Sequence, residues 1–273
     1  MKKQKVINII KEVFAWLLSL VVLIPLMLVV INSLKSQGEA DLMNLRLPTS
    51  LHLDNYMMVI EKGKLIRSFL NSFLITSFSV VVSVIVSSMA SFVLSRNRIK
   101  FNNVIYNYFL LGLIAPLNMI PVIRIMKMLH LLNNYHGIVL LYTALVIPFS
   151  VFLYYGFIKS VPQELDEAAI IDGCSGIQLF LSIVLPLLKP VTITVIVVNF
   201  LGVWNDFMVP LYMLNRSDKW TMTLAVYNFY GTFISKWNLV CANIIMTIAP
   251  ILIVYVLGQK YIISGMVSGA VKG

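Results

Sequence analysis

The sequence has few charges: only 12% of its 273 residues are Asp, Glu, Lys or Arg, whereas 59% are hydrophobic. An ordinary soluble domain carries about 25% charged residues, so this chain has too few to cover a water-exposed globule. The same hydrophobic content excludes a disordered chain, which cannot bury so much apolar surface. The remaining class is an integral membrane protein.

Cysteine and histidine are also scarce. Cys174 and Cys241 have neither the spacing of a metal site nor that of a redox pair, so we interpret both as packing residues. The three histidines share no ligand spacing, and no metal site is predicted. The sequence shows no catalytic arrangement of carboxylates, serines and histidines, and we predict that the chain is not an enzyme.

The net charge is +10, which in a soluble protein would suggest nucleic-acid binding. Here the basic residues are thinly spread and lie at the ends of apolar runs, where they can face lipid headgroups. We therefore expect membrane lipid and not nucleic acid as the partner of these charges.

Six apolar runs have the length of about 20 residues that a membrane-spanning helix needs. The first run follows a lysine-rich start, but no small-residue cleavage site ends it, so we interpret it as a retained span and not as a signal peptide. The sequence predicts a single all-α transmembrane domain over residues 1–273, with spans at about 14–32, 69–94, 104–123, 137–158, 188–210 and 240–263.

The segments between the spans suggest an orientation. The polar segment 34–68 is predicted to be an outer loop with a short helix near Asp54–Glu61. Basic residues divide almost evenly between the two sides, but the lysines before the first span and the Arg96–Lys100 cluster favour a cytoplasmic N-terminus. An even number of spans then predicts that both termini are cytoplasmic.

Residues 160–186, here called the elbow, predict helix, turn and helix. Ser160 with Gln163, and Ser175 with Gln178, have the spacing of capping boxes, while Gly173 suits the left-handed position that ends a helix. Headgroup-bound helices are usually rich in Lys and Arg. The elbow instead carries four acids, so we expect it to dock in a basic groove of a partner protein: Glu164, Asp166, Glu167 and Asp172.

The elbow also resembles a known signature. Glu167-Ala168-Ala169, Gly173, Ile183 and Leu185-Pro186 match, residue for residue and at the same spacing, the EAA signature of membrane subunits of binding-protein-dependent ABC importers. Weaker motifs resemble the sugar-importer branch that includes the smaller maltose permease subunit: Asp54-Asn55-Tyr56, Asn71-Ser72, Met119-Ile120-Pro121, Trp204-Asn205-Asp206-Phe207 and the ending Gly265–Gly273.

This resemblance implies six transmembrane helices of the ABC importer permease type with a cytoplasmic helix-turn-helix coupling loop at 160–186. It implies that the chain forms half of a pathway for a sugar, expected to be an oligosaccharide. The implied partners are a second homologous permease subunit, two ATPase subunits and an external solute-binding protein. ATP would be bound by the ATPase and no cofactor by this chain, which has no Gly-x-x-x-x-Gly-Lys-Ser/Thr phosphate loop.

The resemblance also assigns roles within the elbow. Glu167 would pair with a basic residue of the ATPase, and Gly173 would supply the turn. Ala168 and Ala169 would make a close-packed contact with the ATPase. Leu185 and Pro186 would anchor the elbow to the fifth span. The full predicted coupling set is Glu164, Glu167, Ala168, Ala169, Asp172, Gly173, Ile183, Leu185 and Pro186.

Polar residues inside the spans are candidates for the substrate path, because they are costly in lipid. Asn199 and Asp206 lie seven residues apart and share a helix face, and Trp204 is able to stack on a sugar ring. The alternative for each asparagine is a hydrogen bond that only joins helices. The predicted path residues are Asn199, Trp204, Asn205, Asp206 and Asn118.

Other classes of function remain open at this point. An ABC permease for an amino acid or a peptide is one alternative, since the prediction of a sugar depends on the weaker motifs. An ion-coupled secondary transporter usually buries carboxylates in mid-span, and here the predicted spans contain only Asp206. A membrane-embedded enzyme is the third alternative.

Overall fold

In a computed structural model the backbone is described for residues 2–97, 101–231 and 235–270, and side-chain burial for residues 7–9, 11–97, 101–231 and 235–261. Within these ranges the chain forms helices and no strand. The helices are α1 (Lys2–Ser33), α2 (Gln37–Ala40), α3 (Asp54–Lys62), α4 (Leu65–Arg96), α5 (Asn102–Ile114), α6 (Met119–Met128), α7 (Tyr135–Ile158), α8 (Glu164–Ile171), α9 (Gly176–Leu187), α10 (Lys189–Asn205), α11 (Met208–Met213) and α12 (Trp237–Ala270).

Four helices are long and apolar enough to cross a membrane unaided: α1, α4, α7 and α12. The predicted third span is instead a bent pair, α5 with α6 at 116°. The α10 helix of the predicted fifth span forms a bent pair with α9 of the elbow at 75°, which brings the number of spans to six if each pair counts as one. The fold is therefore the predicted all-α membrane type, and α3 covers the predicted short outer helix.

The third predicted span is not one continuous helix. Pro116 disfavours helical geometry at Ala115, whose ψ is 122°, and α5 ends there. Asn118 then caps α6 by accepting a hydrogen bond from the amide of Ile120 at 3.1 Å. The fifth predicted span is also shorter than expected, because the extended backbone of Asp206 ends α10 four residues before Pro210.

The chain divides into two compact units, residues 1–68 with 224–249 and residues 69–223 with 250–273. In the first unit a polar network organises the segment that follows α1. Lys35 is buried and donates to the Asn32 Oδ1 and Asn44 Oδ1 atoms at 3.1 and 2.9 Å. The Asn55 side-chain amide donates to the carbonyls of Ser33 and Lys35, and its Oδ1 accepts from Asn238 at 2.7 Å, which joins α3 to α12.

In the second unit α7 is the central helix. A buried stripe of serines lets α4 approach it closely, as small residues do in membrane helix pairs. Ser79 and Ser91 of α4 donate to the carbonyls of Val139 and Val151, both at 3.3 Å. Since both pairs advance by the same number of residues, α4 and α7 run parallel.

The other long helices of this unit are antiparallel to their neighbours. On α5, Tyr106 stacks on Tyr155 and Gly112 meets Pro148, so α5 and α7 run in opposite directions. The contacts of Thr192 with Tyr154 and of Asn199 with Ser150 make α10 antiparallel to α7. The second half of α12 is antiparallel to α10 through pairs Gly258–Val197 and Tyr261–Thr194. The C-terminal ends of α4, α7 and α12 therefore point the same way.

Candidate functional site: the elbow and the path residues

The elbow consists of α8, a tight turn and α9. The Ser175–Gln178 capping box is formed as predicted: the Ser175 amide donates to Gln178 Oε1 at 2.9 Å, and the Gln178 amide donates to Ser175 Oγ. The predicted box at Ser160 is wrong. The Ser160 hydroxyl donates to the Phe157 carbonyl at the end of α7, and α8 begins only at Glu164.

Gly173 supplies the turn between the two elbow helices, with φ of +86°. Its amide donates to the Ile170 carbonyl and the amide of Cys174 donates to the Ala169 carbonyl, both at 3.0 Å. This is the double bond pattern that closes a helix at a left-handed glycine, as the sequence predicted. The turn folds α9 back toward the long helices.

The inner face of the elbow is part of an apolar core. Ala169 is 4% exposed and packs with Leu179, Phe180 and Val184 of α9 against residues of α7 and α10. Ile183 and Leu185 pack at the edge of this core, whereas Pro186 is exposed. Residues 179–184 form a π-helical segment, a local widening that often occurs at functional positions.

The outer face of the elbow is exposed and mixes acidic with apolar side chains. Ile171 is 85% exposed and Ile177 is 71% exposed, on either side of the Gly173 turn. Ala168 is exposed, unlike Ala169, so only one of the two alanines is available to a partner. The acidic residues of this face are also exposed: Glu164, Glu167 and Asp172.

An ion pair that sequence reasoning missed lies at the base of the elbow. Arg96 Nε is 2.6 Å from Asp166 Oδ2, and Arg96 Nη2 donates to the Val161 carbonyl at 3.1 Å. Asp166 is only 8% exposed. The sequence contained one signal: Asp166 lies three residues before Ala169 and so shares its inner helix face.

The environment of Asp166 disfavours its charge. Burial raises the pKa of Asp166, Arg96 opposes this shift, and the neighbouring Glu167 adds to it. Asp166 Oδ1 is buried without a hydrogen-bond partner among the described residues, so Arg96 compensates only one side of the carboxylate. Losing Arg96 would therefore leave a buried and uncompensated acid.

Two predicted path residues, Asn199 and Asp206, are used in contacts between helices. The Asn199 amide donates to Ser150 Oγ at 2.8 Å, and the Tyr142 hydroxyl donates to Asp206 Oδ2 at 3.0 Å. Asp206 also accepts from the amides of Met208 and Val209, which begin α11. Both residues contact α7, but Asp206 lies just beyond the end of α10 in extended backbone, so the predicted shared helix face is wrong.

The remaining path residues divide by exposure. Trp204 is 2% exposed and packs against Phe200 and Phe69, so its rings are covered by aromatic neighbours instead of lying open to a sugar. Asn205 and Asn118 are exposed.

The motifs at Arg98, Lys100 and Val271–Gly273 lie outside the described residues, as do the side chains of Lys2, Lys3 and Lys5 and of residues 262–270.

The comparison with protein families decides the class of the chain. The model of the binding-protein-dependent transport system inner membrane component matches residues 3–266. The chain belongs to this family. It is thus a multi-pass membrane subunit of a transport system that contains other subunits, and not an enzyme; the secondary transporter and the membrane-embedded enzyme considered from the sequence are wrong.

Relatives of this permease match over nearly their whole length. The multiple sugar-binding transport system permease protein MsmG of Streptococcus mutans is 40% identical over 100% of both chains. The probable starch degradation products transport system permease protein AmyC of Thermoanaerobacterium thermosulfurigenes is 36% identical over 93% of each. The melibiose/raffinose/stachyose import permease protein MelC of Bacillus subtilis is 34% identical over 92% of this chain and 91% of its own.

A solved structure has the same fold. A chain of a bacterial ABC transporter involved in the import of the acidic polysaccharide alginate superposes with a TM-score of 0.84. The superposition covers 96% of this permease and 98% of that chain at 24% identity. The two chains therefore share one fold over nearly their whole length.

Proposed function

We propose that this permease is a membrane subunit of an ATP-driven importer for a sugar, expected to be an oligosaccharide, and forms half of the translocation pathway. The relatives named for multiple sugars, starch degradation products and melibiose, raffinose and stachyose support this substrate class. The pathway would be completed by a second, homologous permease subunit, and an external binding protein would deliver the sugar. ATP is bound by two separate ATPase subunits.

One observation carries the coupling role: the elbow presents an exposed acidic and apolar face above a buried apolar core. Exposed isoleucines are costly in water, and such patches mark contact surfaces. Ile171 and Ile177 supply the apolar contact and Glu167 a charge for a basic groove. The resemblance implied that both Ala168 and Ala169 contact the ATPase closely. Because Ala169 faces inward, we assign this contact to Ala168 alone. The capped turn and the buried core allow the elbow to transmit force to α7 and α10.

The direction of the helices supports a common side for the elbow and the C-terminus. The ends of α4, α7 and α12 point the same way, and the elbow follows α7 directly. If the elbow meets a cytoplasmic ATPase, the C-terminus is cytoplasmic, and with six spans so is the N-terminus.

A charge reversal at Glu167 tests this function. In proteoliposomes with the assembled complex, Glu167→Lys should abolish ATP-coupled sugar uptake and reduce copurification of the ATPase, because it places a cation against a basic groove. Glu61→Lys is the matched control, since it reverses an exposed glutamate on α3, outside the elbow. Normal uptake and normal ATPase binding in Glu167→Lys would refute the docking role.

The substrate path is proposed to include the exposed Asn205 and Asn118. Three further residues are proposed to act indirectly, by holding the helices of the path in place through the contacts described above: Asn199, Trp204 and Asp206. Identification of sugars held by the external component of the copurified complex tests the substrate class.

A further inference from the structure

The first elbow helix, α8, has few attachments to the rest of its unit. Of its eight residues only Asp166 and Ala169 are buried. Ala169 faces the apolar core formed by α7, α9 and α10. Asp166 faces Arg96, the last residue of α4. Within the described residues, the polar attachment of α8 to a long helix is therefore this ion pair.

Packing does not fill the junction between α4 and α8. An open cleft of about 580 Å³ lies there, and its lining includes Val93, Arg96, Gln163, Asp166 and Glu167. Phe92 does reach Phe180 of α9, with ring centroids 5.4 Å apart, so α4 has an apolar contact with the second elbow helix. Toward α8, however, the Arg96 side chain bridges a gap.

Arg96 holds the elbow at two points. Its Nε contacts Asp166 inside α8, and its Nη2 bonds the carbonyl of Val161, in the linker between α7 and α8. A planar guanidinium fixes both distance and orientation when it engages two partners. Both side chains are only 11% exposed, so the contact between Arg96 and Asp166 is largely shielded from solvent.

We propose that Arg96 is a positioning residue for transport: through Asp166 and Val161 it makes α4 move with the elbow when the ATPase moves. This inference rests on the proposed function, because it assumes that the elbow receives the motion of the ATPase. The polypeptide backbone connects the elbow directly only to α7 and α10. Phe92 gives α4 an apolar contact with α9, and the Arg96 link adds a polar attachment of α4, the parallel neighbour of α7, to α8.

The test is the number of ATP molecules hydrolysed per sugar imported, measured in proteoliposomes with the complete complex. Arg96→Gln and Asp166→Asn should each raise this ratio about tenfold, within the range known for residues in coupling networks, while the ATPase still copurifies. The reversed pair, Arg96→Asp with Asp166→Arg, should restore much of the coupling. Lys159→Gln is the matched control: it removes an exposed cation at the end of α7 that lies over the ring of Tyr155.

A purely structural pair would lower assembly, ATP hydrolysis and import in parallel and leave the ratio unchanged, which would overturn the proposal. If neither single variant assembles, the reversed pair decides: restored import supports the link, and failure to restore import refutes it. Loss of ATPase binding in Glu167→Lys together with an unchanged ratio in Arg96→Gln would refute this inference and leave the proposed function intact.

Discussion

Asp206 illustrates what a single residue can reveal from sequence. A carboxylate in an apolar run is rare, so the sequence correctly marked it as special. Its work in the structure is to accept hydrogen bonds from the first amides of α11 and from Tyr142 of α7. The helix break that creates this need depends on the three-dimensional fold, and the residue type alone did not distinguish a cap from a ligand.

Replacing Asp206 should therefore affect stability more than sugar affinity. We expect Asp206→Ala to lower the free energy of unfolding by about 1–3 kcal/mol, because it leaves the buried Tyr142 hydroxyl and two amides without an acceptor. Thermal unfolding of the detergent-solubilised complex measures this, and Asp206→Asn should be milder. An increased KM for uptake with an unchanged Tm would instead show direct contact with the substrate.

Asp166 gives a pH prediction. Its pKa is raised in the folded state, so protonation of this carboxyl favours folding. That stabilisation is fully present below the ordinary value of about 3.9 and is lost as the pH rises through the raised folded value. The Tm of the parent protein relative to Asp166→Asn should thus fall as the pH rises from about 4 through the raised folded pKa. A Tm difference that does not vary with pH would contradict the raised pKa.

At the scale of the element, the sequence predicts what local chemistry determines. The long spans, the helix α3, the capping box at Ser175 and the left-handed Gly173 all follow from residue type and spacing. The π-helical segment 179–184 does not, because an α-turn and a π-turn use the same apolar residues and differ only in packing. The Arg96–Asp166 pair joins residues far apart in the chain, so local sequence does not predict it. The exposure of Ala168 beside the buried Ala169 depends on how α8 is rotated against the apolar core of α7, α9 and α10, which is also a tertiary property.

The elbow turn can be tested at Gly173. An alanine Cβ there would meet nothing within 4 Å, so the penalty of Gly173→Ala is one of backbone conformation alone. We expect a loss of about 1–2 kcal/mol in local stability, since other residues rarely adopt a positive φ. Gly173→Asn should lose less. Hydrogen exchange at the amides of α8 measures the effect, and equal protection in all three proteins would contradict it.

A second glycine tests the packing of α5 on α7. A Cβ at Gly112 would lie 2.8 Å from Pro148 Cγ, and the proline ring cannot rotate away. Gly112→Ala should therefore destabilise the protein by about 1–3 kcal/mol in thermal or denaturant unfolding. Gly156→Ala on α7 is the matched control, because its Cβ would meet nothing within 4 Å and alanine favours a helix. Equal stability of the two variants would show that α5 shifts freely.

At the scale of the whole molecule, charge counting left the orientation nearly undecided. The helix contacts give an independent argument, because they fix which ends of α4, α7, α10 and α12 point the same way. These contacts put the elbow and the C-terminal end of α12 at the same end of the helices. That this end faces the cytoplasm remains a prediction.

Cysteine labelling can test which side of the membrane the elbow faces. A membrane-impermeant maleimide added to intact cells should label a cysteine introduced at the exposed Leu51 of the outer loop and leave the half-buried Cys174 of the elbow unlabelled. Permeabilisation should make Cys174 reactive, whereas Cys241 should stay unlabelled because it is buried. Labelling of Cys174 before permeabilisation would reverse the topology.

The first helix has a consequence for production of the protein. Its spanning part, Ile7–Ser33, contains an 18-residue apolar window of which no residue is buried within the chain. In a subunit that has not assembled with its partners, this apolar helix would therefore be exposed to the bilayer and to any quality-control protease there. Cells that make this subunit in excess over its companions are expected to degrade the surplus, so that abundance follows the scarcest member of the complex.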